Sequence, residues 1–236
     1  MGALSGSRLL SGGLPGTGPG DFDVESFRTA GRRVVVRDVR RPLVVLGSAQ
    51  REMVVDPGRA RRSGVEVVRR RSGGGAVLLL PGAQVWADLW VPRGDPMWSA
   101  EPRESAAVAG EWWARALGLD DSAVHRGASV PAYGADVVCF AGIGPGEVSL
   151  DGRKLVGLAQ WRSREGALVH GCVYRRWDPE PLVEVLAVPP AARPGLTDAL
   201  RGAAAGLEDL GLTGSWGHDA LLRALPEPAT WEVVGA

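Results

Sequence analysis

RRRSGGGAV, residues 69–77, lies between two aliphatic runs, Val65-Glu66-Val67-Val68 before it and Leu78-Leu79-Leu80 after it. Short β-branched or aliphatic runs bounded by glycine read as strands, so the spacing predicts strands over 65–69 and 75–80 joined by the glycine triplet. Three successive glycines place no Cβ in the way of their N–H groups. These groups can converge on one anionic or carbonyl oxygen, and a neighbouring arginine can pair with a phosphate. The same triplet also serves as an ordinary tight turn, and the stretch alone does not separate the two uses. It is not a P-loop, because no Gly-Lys-Ser/Thr follows it.

Working outward, 34–39 and 43–46 read as two strands joined by an Arg-Arg-Pro turn. Asp56-Pro57 supplies an N-cap and a first-turn proline for a short helix that stops before Gly64. In 85–91, Val85, Ala87, Leu89 and Val91 alternate with Trp86, Asp88 and Trp90, the pattern of a half-buried strand. A helical pattern runs from about 104 to 117 and ends at Gly118. A second set of strands is expected at 136–140, 147–150, 154–159 and 167–173, with Asp151-Gly152 a favoured hairpin turn. From Pro179 the chain is expected to be mainly helical. Strand runs interrupted by separate helices, rather than a βαβα alternation, indicate the α+β class.

The chain has 236 residues, 45% hydrophobic and 23% charged, which is ordinary for a globular protein with a full core. Residues 1–22 read as a flexible glycine-rich tail and 23–236 as one domain. Twenty-seven Lys and Arg balance twenty-seven Asp and Glu, so net charge recruits neither nucleic acid nor an anionic membrane. No apolar run approaches the ~20 residues of a membrane span. Cys139 and Cys172 are too few for a disulfide framework and lack metal-ligand neighbours, so no metal site is indicated and a reducing cytoplasm is the expected compartment. Arg59 to Arg62 read as solvated arginines on a surface helix.

The basic residues are 26 arginines and a single lysine, Lys154. An ammonium is a compact point charge that can lose its proton when desolvated, whereas a guanidinium is broad, planar and permanently charged. A lone lysine among arginines therefore points to chemistry that arginine cannot do, at what reads as an exposed hairpin position. Cys139 closes an apolar run and enters a glycine-rich loop, where it is either a small buried hydrophobe or a nucleophile whose oxyanion backbone amides can stabilise. Gly142-Ile143-Gly144-Pro145-Gly146 is not a dinucleotide fingerprint, since a strand rather than a helix follows. His170, at a strand end, is kept as a candidate binding residue, although none of His125, His170 and His218 has the spacing of a triad.

Taken together, RRRSGGGAV at 69–77, GRKLVGLAQ at 152–160 and LGSAQ at 46–50 resemble the three ordered motifs of the lipoate-protein ligase A family, over roughly residues 34–190. The resemblance implies the catalytic-domain fold shared by biotin and lipoate protein ligases, with mixed sheets flanked by helices. It implies that Arg70, Ser72, Gly73, Gly74, Gly75 and Ala76 line a pocket for an acyl carbonyl and any adenylate phosphate, that Lys154 reaches the same atoms from a facing strand, and that Gly157 leaves space for the acyl chain. Asp136 matches the second residue of a family asparagine-aspartate pair whose first is replaced here by Ala135.

Two chemistries follow from that family. The spacing of Cys139-Phe140 from Lys154 is similar to that of cysteine-dependent octanoyltransferases. These take octanoate from acyl carrier protein and pass it, through an acyl-cysteine, to a lysine of lipoyl-domain proteins such as 2-oxoacid dehydrogenase subunits and the glycine cleavage H protein. No tightly bound cofactor is then expected. The SGGGAV loop is instead the ligase form, which implies ATP with Mg and free lipoate. Absence of room for an accessory domain slightly favours a transferase, or a ligase with a separate helper. A third reading, a non-catalytic acyl-binding or regulatory module, draws on Ala135 and on Leu79, where the family commonly has histidine; Lys154 argues against it. A biotin ligase has a different glycine loop.

Overall fold

The computed structural model describes residues 28–212 and 216–234, so the tail expected at 1–22 lies outside the described residues. The chain runs β1 (Arg32–Arg37), β2 (Leu43–Leu46), α1 (Pro57–Arg62), β3 (Glu66–Arg69), β4 (Val77–Leu79), β5 (Gln84–Pro92), α2 (Pro102–Ala116), β6 (Val148–Leu150), β7 (Arg153–Arg162), β8 (Gly166–Tyr174), α3 (Glu180–Val185), α4 (Arg193–Ala203), α5 (His218–Arg223) and β9 (Trp231–Val234). The strands form a six-stranded sheet in the order β6-β7-β8-β5-β1-β9 and a three-stranded sheet in the order β3-β2-β4. Both sheets mix parallel and antiparallel pairs, since β1–β9 and β2–β3 are parallel and the remaining pairs antiparallel. The architecture is α+β, as expected.

Of four local expectations, two are refined and two corrected. The strands flanking Arg-Arg-Pro do not form a hairpin, because β1 pairs with β5 and β9 while β2 pairs with β3 and β4 in the other sheet. Residues 136–140 form turns with a single bridge, Ala76 to Val138, rather than a strand. Gly134 at φ +85° starts this turn, and its carbonyl accepts from both Val137 and Val138 N–H, which overrides the β preference of the two valines. The C-terminal part is mainly helical, as expected, with β9 added at the edge of the large sheet. Arg59 is buried rather than solvated, and its guanidinium donates to the Leu186 carbonyl. The Asp56 cap does form, accepting from Arg59 N–H at 2.9 Å.

Strand β5 keeps its alternation, but both of its faces are covered. Val85, Ala87, Leu89 and Val91 pack with Trp112 and Trp113 of α2, while Trp86 joins the cluster that holds β2 and β4. Cys172 and Tyr174 of β8 enter that same cluster, so the two sheets share one core. Helix α2 can lie on β8 only because residue 171 is glycine: a Cβ there would sit 2.2 Å from Trp113 Nε1. A fully buried tryptophan is worth at least ~3 kcal/mol of apolar burial, so Gly171→Ala would displace a main contact of this layer. At the β6–β7 turn, Asp151 (φ 50°) and Gly152 (φ 77°) both adopt the left-handed conformation of a tight hairpin. That turn brings β7 back beside β6 and sets Lys154 opposite Ser149. No helix among the described residues is long and apolar enough to cross a membrane.

Candidate functional site

The glycine loop is shaped from beneath by Arg70, which is almost wholly buried. Its Nε donates to Ser72 Oγ at 3.1 Å, Nη1 to the Val45 carbonyl at 3.0 Å, and Nη2 to the carbonyls of Gly73 and Gly75 at 2.7 and 2.9 Å. Burial lowers the pKa of this guanidinium. Because its donors are turned onto the loop's own backbone, Arg70 holds the loop's shape and does not face the cleft. Ser72 and Ala76 are buried with it. Two glycines make close approaches possible: a Cβ at Gly47 would lie 1.9 Å from the Gly74 carbonyl oxygen, and one at Gly75 would lie 2.5 Å from Cys139 N. Gly74, at φ +94°, is open to the Cys139 side, where an added Cβ would lie 3.7 Å from Sγ.

Across from the loop, Gly73, Gly74, Gly75, Asp136, Cys139 and Lys154 line one cleft of about 610 Å³, together with Glu147 and apolar residues such as Val130, Ile143 and Leu158. Strand β7 delivers Lys154 from the hairpin, and its carbonyl is fixed by Ala205 N–H at 2.8 Å. The side chain is buried, not exposed as the hairpin position suggested, with 4% of the residue accessible. Its ammonium donates to the Cys139 backbone carbonyl at 2.5 Å and pairs with Glu147 Oε2 at 2.8 Å. The Phe140 ring lies 5.5 Å from it. The ammonium thus addresses the carbonyl of Cys139 rather than its thiol.

Glu147 was not legible as a site residue. It accepts from Gly144 N–H at 2.6 Å through Oε2 and from Leu158 N–H at 3.1 Å through Oε1. Burial raises its carboxyl above the ordinary range, against the opposing pull of Lys154 and the two amides. The signal available in sequence was a lone acid at the head of a predicted strand whose hairpin partner carries the only lysine.

Two candidates sit behind the cleft wall. Gly157 does not open onto free acyl space: the Phe140 ring covers it, and a Cβ at 157 would lie 3.0 Å from Phe140 Cε2 and Cζ. The narrow space beyond is bounded by Phe140, Gly157, Trp86, His170, Cys139 and Cys172. His170 Nδ1 lies 2.6 Å from Asp88 Oδ1, in a buried network with Arg37 and Trp86 Nε1. Desolvation pushes the Asp88 carboxyl upward, but Arg37, His170 and Trp86 outweigh it and hold the pKa down at about 2. Burial pushes the Cys172 thiol well above its ordinary value, whereas Cys139 is half-buried on the cleft.

Residues 28–211 match the family model described as lipoyl protein ligase A/B catalytic domain. Curated protein sequences give no match. Among solved structures, the chain is similar to a bipartite lipoate protein ligase from Thermoplasma acidophilum, studied with its E2 lipoyl domain, at a TM-score of 0.69 and 21% identity over 98% of this chain and 86% of that one. Protein Ta0514 of T. acidophilum with bound lipoic acid gives a TM-score of 0.67 at 20% identity, over 98% and 88% of the two chains. A lipoate-protein ligase A bound with ATP gives the same four values. At these identities the structural likeness establishes a shared fold.

Proposed function

The chain belongs to the lipoyl protein ligase A/B catalytic-domain family, and from that premise we propose that residues 23–236 form a protein-lysine octanoyltransferase that takes octanoate from acyl carrier protein and delivers it to a lysine of lipoyl-domain proteins. The observation that carries this reading is the make-up of the cleft. The Cys139 thiol, the glycine-loop backbone and Lys154 meet there, and among the described lining residues Lys154 is the one cation, set against the carboxylates of Asp136 and Glu147. A nucleotide triphosphate needs positive charge that this lining does not provide, and Arg70 is turned away beneath the loop. A neutral thioester needs only a nucleophile and donors for one oxyanion.

In this reading the Cys139 sulfur adds to the thioester carbonyl while the Lys154 ammonium and the loop amides stabilise the charge that develops on oxygen. The carrier thiolate leaves and takes up the thiol proton, and octanoyl-Cys139 remains. The neutral amine of the acceptor lysine then displaces the cysteine sulfur, forming an amide and restoring the thiol. The reaction needs no bound cofactor, and it suits a reducing cytoplasm because a disulfide at Cys139 would block it.

A second reading, ATP-dependent ligation of lipoate through an acyl-adenylate with Mg, is favoured by the SGGGAV form of the loop and by likeness to relatives bound to ATP or lipoic acid. Intact-mass measurement after incubation with octanoyl acyl carrier protein and no acceptor separates the two. An octanoyl adduct on wild type, absent from Cys139→Ala and never on Cys172, supports the transferase. Full modification of a lipoyl domain by Cys139→Ala with ATP and free acid supports the ligase instead. A lipoyl domain left unmodified by both donors returns the chain to a non-catalytic acyl-binding role.

A further inference from the structure

One buried carboxylate serves three donors in the cleft wall. Glu147 Oε1 takes the Leu158 amide of β7, and Oε2 takes both the Gly144 amide and the Lys154 ammonium. Its side chain is only 6% exposed and that of Lys154 only 3%. The loop that carries Gly144 is itself tied to the segment across the cleft, where Val130 and Ile143 exchange backbone bonds at 2.8 and 3.2 Å. On the other side, Gly146 packs on α2 so tightly that a Cβ there would lie 2.3 Å from the Ala106 carbonyl oxygen. Glu147 therefore joins three parts of the site at one point: the strand that bears the lysine, the loop that lines the cleft, and the lysine itself.

Resting on the acyltransfer reading above, we propose that Glu147 is the positioning residue of Lys154, holding its ammonium against the Cys139 carbonyl at the height where the acyl oxygen is received. A lysine side chain has four rotatable bonds and gives up much rotamer freedom when it is fixed. The Cys139 carbonyl alone defines a distance. The carboxylate, itself oriented by two main-chain amides, adds the direction. A glutamine at 147 cannot reproduce this, because an amide offers one oxygen where three donors converge and turns its own N–H groups toward at least one of them. Aspartate keeps the charge but withdraws it by one methylene.

Because Lys154 is the chain's one lysine, protein grown with 13Cε-lysine gives a single side-chain resonance that reports this contact directly. Glu147→Gln is expected to shift that resonance and lower kcat for octanoyl transfer by about 10- to 100-fold, with KM for the octanoyl carrier within about twofold, as loss of a transition-state interaction predicts. Glu147→Asp is expected to recover part of the rate, and thermal melting of each variant checks that it folds. A resonance unchanged in a folded Glu147→Gln overturns the contact. A shifted resonance with undiminished kcat overturns the positioning role. Wild-type protein inert with every donor overturns the acyltransfer reading and the catalytic half of this inference with it, while the resonance still decides the contact.

Discussion

Two buried carboxylates, Asp88 on β5 and Glu147 ahead of β6, are held in opposite directions. Asp88 is enclosed completely, yet Arg37, His170 and the Trp86 indole keep its pKa down at about 2. Glu147 has Lys154 and two amides, and burial still raises it. The difference lies in the partners that repay desolvation: Asp88 has the Arg37 guanidinium with the His170 ring and the Trp86 indole, Glu147 one lysine and two backbone amides. A carboxylate over-supplied with partners stabilises the fold and is fixed. One raised by burial, on the wall of a cleft, keeps a single lysine as its counter-charge and so ties that lysine in place.

That contrast can be broken from either side. The largest effect is expected at Lys154, where Lys154→Arg and Lys154→Gln should each lower octanoyl transfer by at least about 1,000-fold. The arginine must also overfill a closed site, so its melting temperature should fall further than that of the glutamine variant; equal rates for Lys154→Arg and wild type would remove Lys154 from the mechanism. Next is Asp88→Asn, which removes the buried carboxylate that Arg37 and the His170 ring share and should cost about 3–5 kcal/mol in denaturant unfolding, with little change in donor KM if the network is purely structural.

The same carboxylate sets an acid window. With a folded value of about 2 against an ordinary 3.8, Asp88 contributes stability that is present above about pH 4 and lost as the pH falls toward 2, in total about 2 kcal/mol. Unfolding midpoints measured across that range should drop more steeply for wild type than for Asp88→Asn. Glu147 carries the opposite sign, since its contribution is lost as the pH rises through its elevated folded value.

The smallest expected change tests the glycine loop. Gly74→Val does not separate binding from stability, because φ is +94° and the new side chain would meet Arg70 Nη2 at 2.9 Å. Gly73→Ala adds its methyl to open space at the cleft. It should shift stability by less than about 0.5 kcal/mol while raising donor KM by about tenfold if the loop cradles the acyl carbonyl. Unchanged KM would make the triplet a plain turn.

The elements of the fold were largely written in local pattern: the glycine-linked strands, the capped α1 and the Asp151-Gly152 hairpin all lie where turn chemistry and alternation put them. Their partners were not. Val34 to Val36 and Val44-Val45 are equally β-branched, and nothing local tells one that it joins β5 and the other that it joins β4. At the site, the motifs gathered Lys154, Cys139, Asp136 and the glycines onto one cleft. Arg70 reads as a phosphate ligand until its donors are counted, and Gly157 as empty space until Phe140 is seen against it. Glu147 escaped because a single acid in a turn-rich segment has no periodic signature. Its place ahead of the hairpin that carries the lysine is a weak hint, and burial against that lysine is what distinguishes it.

The single lysine has a consequence for the rest of the surface. In the proposed acyl transfer, lysine amines on the protein's own surface would be open to stray acylation, yet the other 26 basic side chains are arginines, which stay protonated and are poor nucleophiles. The one lysine lies under Phe140, bound to Glu147 and the Cys139 carbonyl. On that proposal the chain presents no free lysine amine to compete with an acceptor's, and its arginines act as chemical insulation around the acyl group.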